Sequence, residues 1–247
     1  MYFTLSVPQP PLPGGGPLLL ALPGAGCSPA IYDALAVPGW RVCAVDWSNG
    51  SRPLDPLTVA HRLGALLQER TAPTALAGHS AGAAIAALTA ALYPGQVQAL
   101  VLSNTGPHSR NHGDPSFLQR IRSQWGAPEQ EAFLQSCFLA PPPAPLLAEL
   151  RRYLAELPVE ALAESVAGLR ALDLEPHLGA IRAPTTIAHG EHDTRRRVAD
   201  AQALAAAIPG AMLRLLPGGH TPMVDCLPDY QQAVAALLRP IAGASPP

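Results

Sequence analysis

The sequence predicts an α/β fold: a mostly parallel sheet of about seven strands with helices on both faces and a helical segment inserted late in the chain. Three observations predict it. Short, almost continuously apolar runs end in turn residues and alternate with longer helical patterns. Near-continuous apolarity is the mark of strands covered on both faces, as in a parallel sheet. Residues 105–182 then break the rhythm, because they contain helical patterns and no strand-like run.

The strand candidates come first. Phe3 to Val7 offers a short one, followed by residues 18–22 (LLLAL), which stop at Pro23-Gly24-Ala25-Gly26. Residues 41–45 end at Asp46, 74–77 at Gly78, and 97–102 at Ser103-Asn104. Residues 185–188 end at His189-Gly190, and 212–216 at Pro217-Gly218-Gly219-His220. Between them, residues 55–70 read as a helix with Leu57, Ala60, Leu63, Ala65 and Leu67 mostly on one side. Residues 81–92 are apolar all round, which predicts a buried helix, and residues 227–238 close the chain with Pro228 suited to a first turn. Inside the interruption, helical stretches fall near 115–125, 129–138, 146–157 and 159–172. The chain is therefore divided into a core of 1–104 and 183–247 and an inserted helical unit of 105–182, too long for an ordinary connection and placed over the strand ends.

Composition removes several classes. The chain has 247 residues, 48% of them hydrophobic and 14% charged, with a net charge of −2. That excludes a disordered chain and argues against a nucleic-acid or polybasic membrane partner. All 16 basic residues are arginine, so no chemistry that needs a lysine operates here; with 21 Gly and 29 Pro the bias is that of a GC-rich, bacterial-type genome. The 4 cysteines, Cys27, Cys43, Cys137 and Cys226, form no CxxC pair and read as buried and reduced. No basic stretch precedes an apolar run at the N-terminus, and the run 17–25 is too short to span a bilayer. The expectation is a cytoplasmic protein acting on a small molecule. The sequence carries no signal for its oligomeric state.

The strongest local signal is Gly78-His79-Ser80-Ala81-Gly82, with a strand run before it and an apolar helix after. That context defines a nucleophile elbow: the serine sits in a strained turn that tolerates only glycine around it, at a helix start whose N–H groups face negative charge. A serine hydroxyl needs a base, held in turn by an acid, in the chain order Ser, acid, His. His189-Gly190-Glu191-His192-Asp193 ends one strand and Gly218-Gly219-His220 follows the last. Asp193 is the candidate acid, with Glu191 as competitor, and His220 the candidate base. His79 packs beside the elbow. The histidines and acids of 189–193 do not share a face as a metal site requires. Oxyanion donors are expected in the backbone N–H groups of Ala81 and of Ala25, with Gly24 permitting close approach.

On these motifs the chain resembles the α/β-hydrolase fold superfamily over essentially its whole length, in particular the group of serine esterases and lactonases with a helical cap. The stretches Leu172-Asp173-Leu174-Glu175-Pro176 and Ile181-Arg182-Ala183-Pro184-Thr185 resemble the lead-in to the seventh strand in small-molecule esterases, enol-lactonases and carbon–carbon bond hydrolases. Chain length and Leu22-Pro23-Gly24-Ala25-Gly26 also resemble type II thioesterases. The resemblance implies acyl transfer to water through an acyl-enzyme, with no metal or organic cofactor. It leaves open an acyl thioester or a carbon–carbon bond as the alternative substrate. Ser80 argues against the relatives that place an aspartate at the elbow, and the absence of lysine excludes hydroxynitrile lyases that rely on one. Two departures stand out: Pro23-Gly24 replaces the His-Gly of many relatives, and Asp46-Trp47-Ser48-Asn49-Gly50-Ser51-Arg52 replaces a glycine-rich turn. The short N-terminus implies that one antiparallel edge strand is missing.

For the substrate, Trp125 and Arg110 are the leading candidates, as apolar wall and carboxylate clamp. Phe117, Phe133, Phe138 and Tyr153 could add to the wall, and His108, Arg120, Arg122, Arg151 and Arg152 to the polar contacts. Arg195-Arg196-Arg197, just after Asp193, could favour an anionic substrate at the rim.

Overall fold

The computed structural model describes residues 2–5, 15–109 and 114–242. Seven strands form a single sheet: β1 (Tyr2–Thr4), β2 (Leu18–Leu22), β3 (Arg41–Asp46), β4 (Thr74–His79), β5 (Ala99–Ser103), β6 (Thr185–Gly190) and β7 (Met212–Leu216). Their order is β1-β3-β2-β4-β5-β6-β7 and every neighbouring pair is parallel. Of the N-terminal candidate, Phe3 and Thr4 belong to β1, which starts one residue earlier and runs parallel to β3 at the edge of the sheet, whereas residues 6–7 lie outside the described residues.

The strands alternate their side chains between two cores. Leu18, Leu20, Leu22, Leu76, Leu100 and Leu102 face one core, and Leu19, Ala21, Ala75, Ala77, Ala99 and Val101 face the other. The first core is covered by α1 (Pro56–Gln68), α2 (Ala81–Leu92) and α8 (Val198–Ala207). The second is covered by a 3₁₀ turn at Pro29–Tyr32, by the short α9 (Pro222–Asp225) and by α10 (Leu227–Ala242). Truncating one of these buried leucines to alanine costs about 2–5 kcal/mol.

Helix α1 begins where Asp55 accepts the N–H of Thr58 at 3.0 Å, with Pro56 in the first turn. Its buried face is Val59, Ala60, Leu63, Leu66 and Leu67; Leu57 and Ala65, assigned to that face from the sequence, are exposed. Helix α2 is buried along Ala81–Ala91, as its uniform apolarity predicts. β7 departs from expectation: it is an edge strand, and Met212 and Leu215 are 47% and 41% exposed.

Between β5 and β6 the chain passes through α3 (Phe117–Gln124), α4 (Ala127–Gln135), α5 (Ala144–Glu156), α6 (Val159–Ala171) and the short α7 (Glu175–Leu178). Its two ends meet: Leu174 donates to the Pro107 carbonyl at 2.8 Å and His108 bridges Asp173. Ile121, Tyr153, Leu157, Leu162, Ala163 and Val166 form a small apolar cluster of its own, while Leu174, Leu178 and Ile181 pack into the core beside the sheet. Tyr153 ties the insertion to the sheet by donating to Asp46 at 2.6 Å. Among the described residues, no helix is long and apolar enough to cross a membrane.

Candidate active site

Because the strands are parallel, the loops after β2, β4, β5, β6 and β7 all leave the same edge of the sheet. The elements after β4, β6 and β7 carry Ser80, Asp193 and His220 to that edge.

Ser80 joins β4 to α2 with φ 52 and ψ −114, a positive φ that a side-chain-bearing residue adopts only under constraint. The constraint is packing. A Cβ on Gly78 would lie 2.4 Å from the Ala83 Cα, and one on Gly82 would lie 2.2 Å from the Leu22 carbonyl oxygen. The Ser80 N–H is anchored on the Ser103 carbonyl at 2.9 Å. The helix behind the serine can thus close against β2 only with glycine at these positions.

The loop after β2 lies directly on the elbow. A Cβ on Gly24 would come within 3.2 Å of the Ser80 Cβ and 3.3 Å of the His79 ring. Gly24 and Cys27 close a turn, the Cys27 N–H donating to the Gly24 carbonyl at 3.1 Å, and the partly buried Ala25 within it lines the cavity. Ala81 is the first residue of α2, in the turn whose N–H groups lack intrahelical acceptors.

Asp193 and His220 form a buried pair: Nδ1 of His220 lies 2.9 Å from Oδ2 of Asp193, and the two side chains are 5% and 0% exposed. Every oxygen of that carboxylate is occupied. Oδ1 accepts the backbone N–H of Arg195 at 2.7 Å and of Arg196 at 3.0 Å, and Oδ2 also accepts Nδ2 of Asn104 at 2.7 Å. Burial alone would raise the Asp193 pKa. The bonds from His220, Asn104 and the Arg195 N–H outweigh it and hold the carboxyl well below the usual range. An ionised carboxylate only accepts, so Nδ1 of His220 carries the proton and Nε2 keeps its lone pair. Burial lowers the His220 pKa below 6.5, with Arg195 and Arg196 adding to the fall and Asp193 opposing it. Glu191 is exposed and takes no part in this pair.

The His79 ring packs edge-on against His220 with centroids 4.8 Å apart, and burial depresses its pKa well below 6.5. His79 is therefore a neutral wall. Gly219 and Asp225 fix the His220 loop: Asp225 accepts the Gly219 N–H at 2.9 Å and the Leu139 N–H, from the insertion, at 3.1 Å.

Ser80 and His220 line one cavity of about 340 Å³, together with Gly24, Ala25, Cys27 and His79. Its far wall comes from the insertion: Phe117 and Arg120 of α3, Glu129 and Phe133 of α4, and Val166, Leu169 and Arg170 of α6. Trp125 corrects the sequence reading. It does not line the cavity but packs behind it, its ring centroid 6.2 Å from Phe117 and 5.8 Å from Phe133, because the bulk of an indole fills the space between α3 and α4. Phe117 and Phe133 form the wall, stacked with centroids 5.8 Å apart. Tyr153 is used up on Asp46. Arg110 lies outside the described residues.

The sequence reading missed Asn104 and Asp225. Asn104 is fully buried, has φ 51, and donates both to Asp193 and to the Gly219 carbonyl at 3.1 Å. The available signal was an asparagine directly after a strand at the edge where the other site residues emerge.

Comparison with known proteins gives the family. A sequence model described as the alpha/beta hydrolase family matches residues 18–237. The chain belongs to the alpha/beta hydrolase family. Over 230 residues it is 27% identical to "Putative carbamate hydrolase RutD" of Variovorax paradoxus, covering 84% of this chain and 86% of that protein. Among solved structures, the enol-lactonase of Burkholderia xenovorans superposes with a TM-score of 0.77 at 21% identity over 92% of each chain. An esterase of Exiguobacterium antarcticum gives 0.78 at 19% identity, over 92% of this chain and 93% of that one. At these identities the likeness to the two structures is one of fold. This alpha/beta hydrolase thus places its elbow, its acid–histidine pair and its insertion around one cavity.

Proposed function

We propose that this protein is a serine hydrolase that cleaves a small-molecule carboxylic ester, lactone or related acyl bond through Ser80, His220 and Asp193. The observation that carries the reading is the buried Asp193–His220 bond of 2.9 Å, made beside the strained Ser80 elbow on a shared cavity. Ser80 Oγ attacks the carbonyl carbon while Nε2 of His220 takes its proton. Asp193 holds the tautomer and stabilises the imidazolium. The N–H groups of Ala25 and Ala81 hold the oxyanion. His220 then protonates the leaving oxygen, an acyl-Ser80 ester remains, and water deprotonated by His220 releases the acid and restores the hydroxyl. The insertion between β5 and β6 acts as a cap that shapes the substrate and excludes bulk water.

The family and the names of its relatives support hydrolysis at an ester-like bond. The test is turnover of a series of p-nitrophenyl esters by the wild-type protein and by Ser80→Ala. The substitution lowers kcat on the order of 10⁴-fold while the fold is retained. Near-normal turnover by Ser80→Ala would remove Ser80 from the mechanism.

A further inference from the structure

Resting on that acyl-hydrolase reading, we propose that His79 is a specificity-determining residue: its Nε2–H donates to an uncharged oxygen, of an ether, ester or hydroxyl, that the substrate carries close to the reacting carbonyl. His79 ends β4, directly before Ser80, and lines the cavity while only 3% exposed, as little as His220 at 5%. Its Cδ2–Nε2 edge faces the loop after β2. The point where a Cβ on Gly24 would stand lies 3.3 Å from Cδ2, 3.6 Å from Nε2 and 3.2 Å from the Ser80 Cβ. Gly24 has no side chain to fill that point, so the ring edge and the nucleophile border one corner of the cavity.

The other ring nitrogen, Nδ1, is fully buried and has no hydrogen-bond partner. Burial keeps the ring neutral, so it carries a single N–H, and the surroundings of the two nitrogens assign it. A proton on Nδ1 would bury a donor without an acceptor, which is the costlier defect. A proton on Nε2 leaves only an unused lone pair in the interior. The N–H therefore points from Nε2 into the cavity corner. Among the described residues none accepts from it. Asp193 has both oxygens occupied by His220, Asn104 and two backbone N–H groups. The acids on the cavity wall, Asp114 and Glu129, are both paired with Arg120. An uncharged donor with one N–H suits an uncharged acceptor, and a substrate oxygen held there satisfies a group the protein leaves unpaired. Phe117, Phe133, Val166 and Leu169 line the cavity as apolar contacts for the rest of a compact molecule.

The test uses two pairs of esters matched in shape. p-Nitrophenyl methoxyacetate and p-nitrophenyl butanoate exchange an oxygen for a methylene on the acyl side; methoxyethyl acetate and butyl acetate do so on the alcohol side. Each kcat/KM ratio is divided by the ratio of hydroxide-catalysed rates, which removes intrinsic reactivity. In the wild-type protein at least one pair favours the oxygen-bearing ester about 3- to 10-fold, the worth of a neutral hydrogen bond, and the responding pair shows on which side the oxygen lies. His79→Phe keeps a ring and removes the donor. It abolishes the preference whatever it does to the hydrocarbon ester alone, and His79→Gln restores part of it. Circular dichroism checks that each variant is folded. Proton–nitrogen NMR of ring-labelled histidine shows the His79 proton on Nε2, a readout that needs neither turnover nor a folded His79→Phe. No preference in either pair, a preference unmoved in folded His79→Phe, or a proton on Nδ1 overturns the donor. If Ser80-dependent turnover persists with no oxygen preference, only the donor fails. If turnover is independent of Ser80, the acyl-hydrolase reading fails instead.

Discussion

Asn104 and Asp193 meet in a bond of 2.7 Å on the very oxygen that accepts the hydrogen bond of the His220 Nδ1–H. The two residues come from loops that follow different strands, β5 and β6. The bond therefore fixes the acid's orientation from outside its own loop, and a second bond from Asn104 to the Gly219 carbonyl fixes the histidine's loop as well.

Asn104→Ala removes both bonds. A hydrogen bond to a charged group contributes about 1.5–3 kcal/mol, so kcat on a p-nitrophenyl ester falls by about 10- to 100-fold. KM changes little, because Asn104 is absent from the cavity wall. Steady-state kinetics check this, and an unchanged kcat would show that Asp193 needs no second orienting donor.

The acid limb of the pH profile follows from His220. Its pKa is depressed by burial, so the neutral, proton-accepting form persists below the ordinary histidine value. kcat/KM falls on the acid side as pH drops through that lowered value, below 6.5, where the imidazole charges. Asp193, whose pKa is lower still, stays ionised throughout this window. Arg195 contributes to the depression, so Arg195→Gln shifts the limb to higher pH. A limb centred above 7 in the wild-type protein would contradict this account.

Gly82→Ala would bring a methyl group to 2.2 Å from the Leu22 carbonyl oxygen and 2.5 Å from that of Pro23. Backbone atoms in the middle of a sheet cannot step aside cheaply. The substitution costs about 3 kcal/mol or more, read as a lower urea midpoint. An unchanged midpoint would mean that α2 does not press on β2 as described.

Most of the sheet was legible because β2, β4 and β5 are buried on both faces, so their side chains form unbroken apolar runs. β7 has the same kind of sequence, yet its edge position exposes Met212 and Leu215; a strand's place in the sheet is not written in its own residues. Helix α8 escaped notice because its alanine-rich stretch shows little contrast between faces. Ser80, Asp193 and His220 stood out through their turn and strand contexts. Asn104 did not, since its partner lies 89 residues away and one asparagine after a strand is an ordinary loop start. The three consecutive arginines read as one charged patch. The loop gives them three environments: Arg195 over an aromatic ring, Arg196 buried in the cavity wall, and Arg197 in solvent with a side chain 77% exposed. No periodicity in an irregular loop could have separated them.

The central claim is that Ser80 is the nucleophile, primed by the Asp193–His220 pair. The most direct measurement is intact-mass and peptide mass spectrometry after exposure to a fluorophosphonate probe. The account predicts a single covalent adduct on Ser80 in the tryptic peptide 71–110, with labelling slowed strongly in His220→Ala. A folded wild-type protein that takes up no probe, or carries it on another residue, would contradict it.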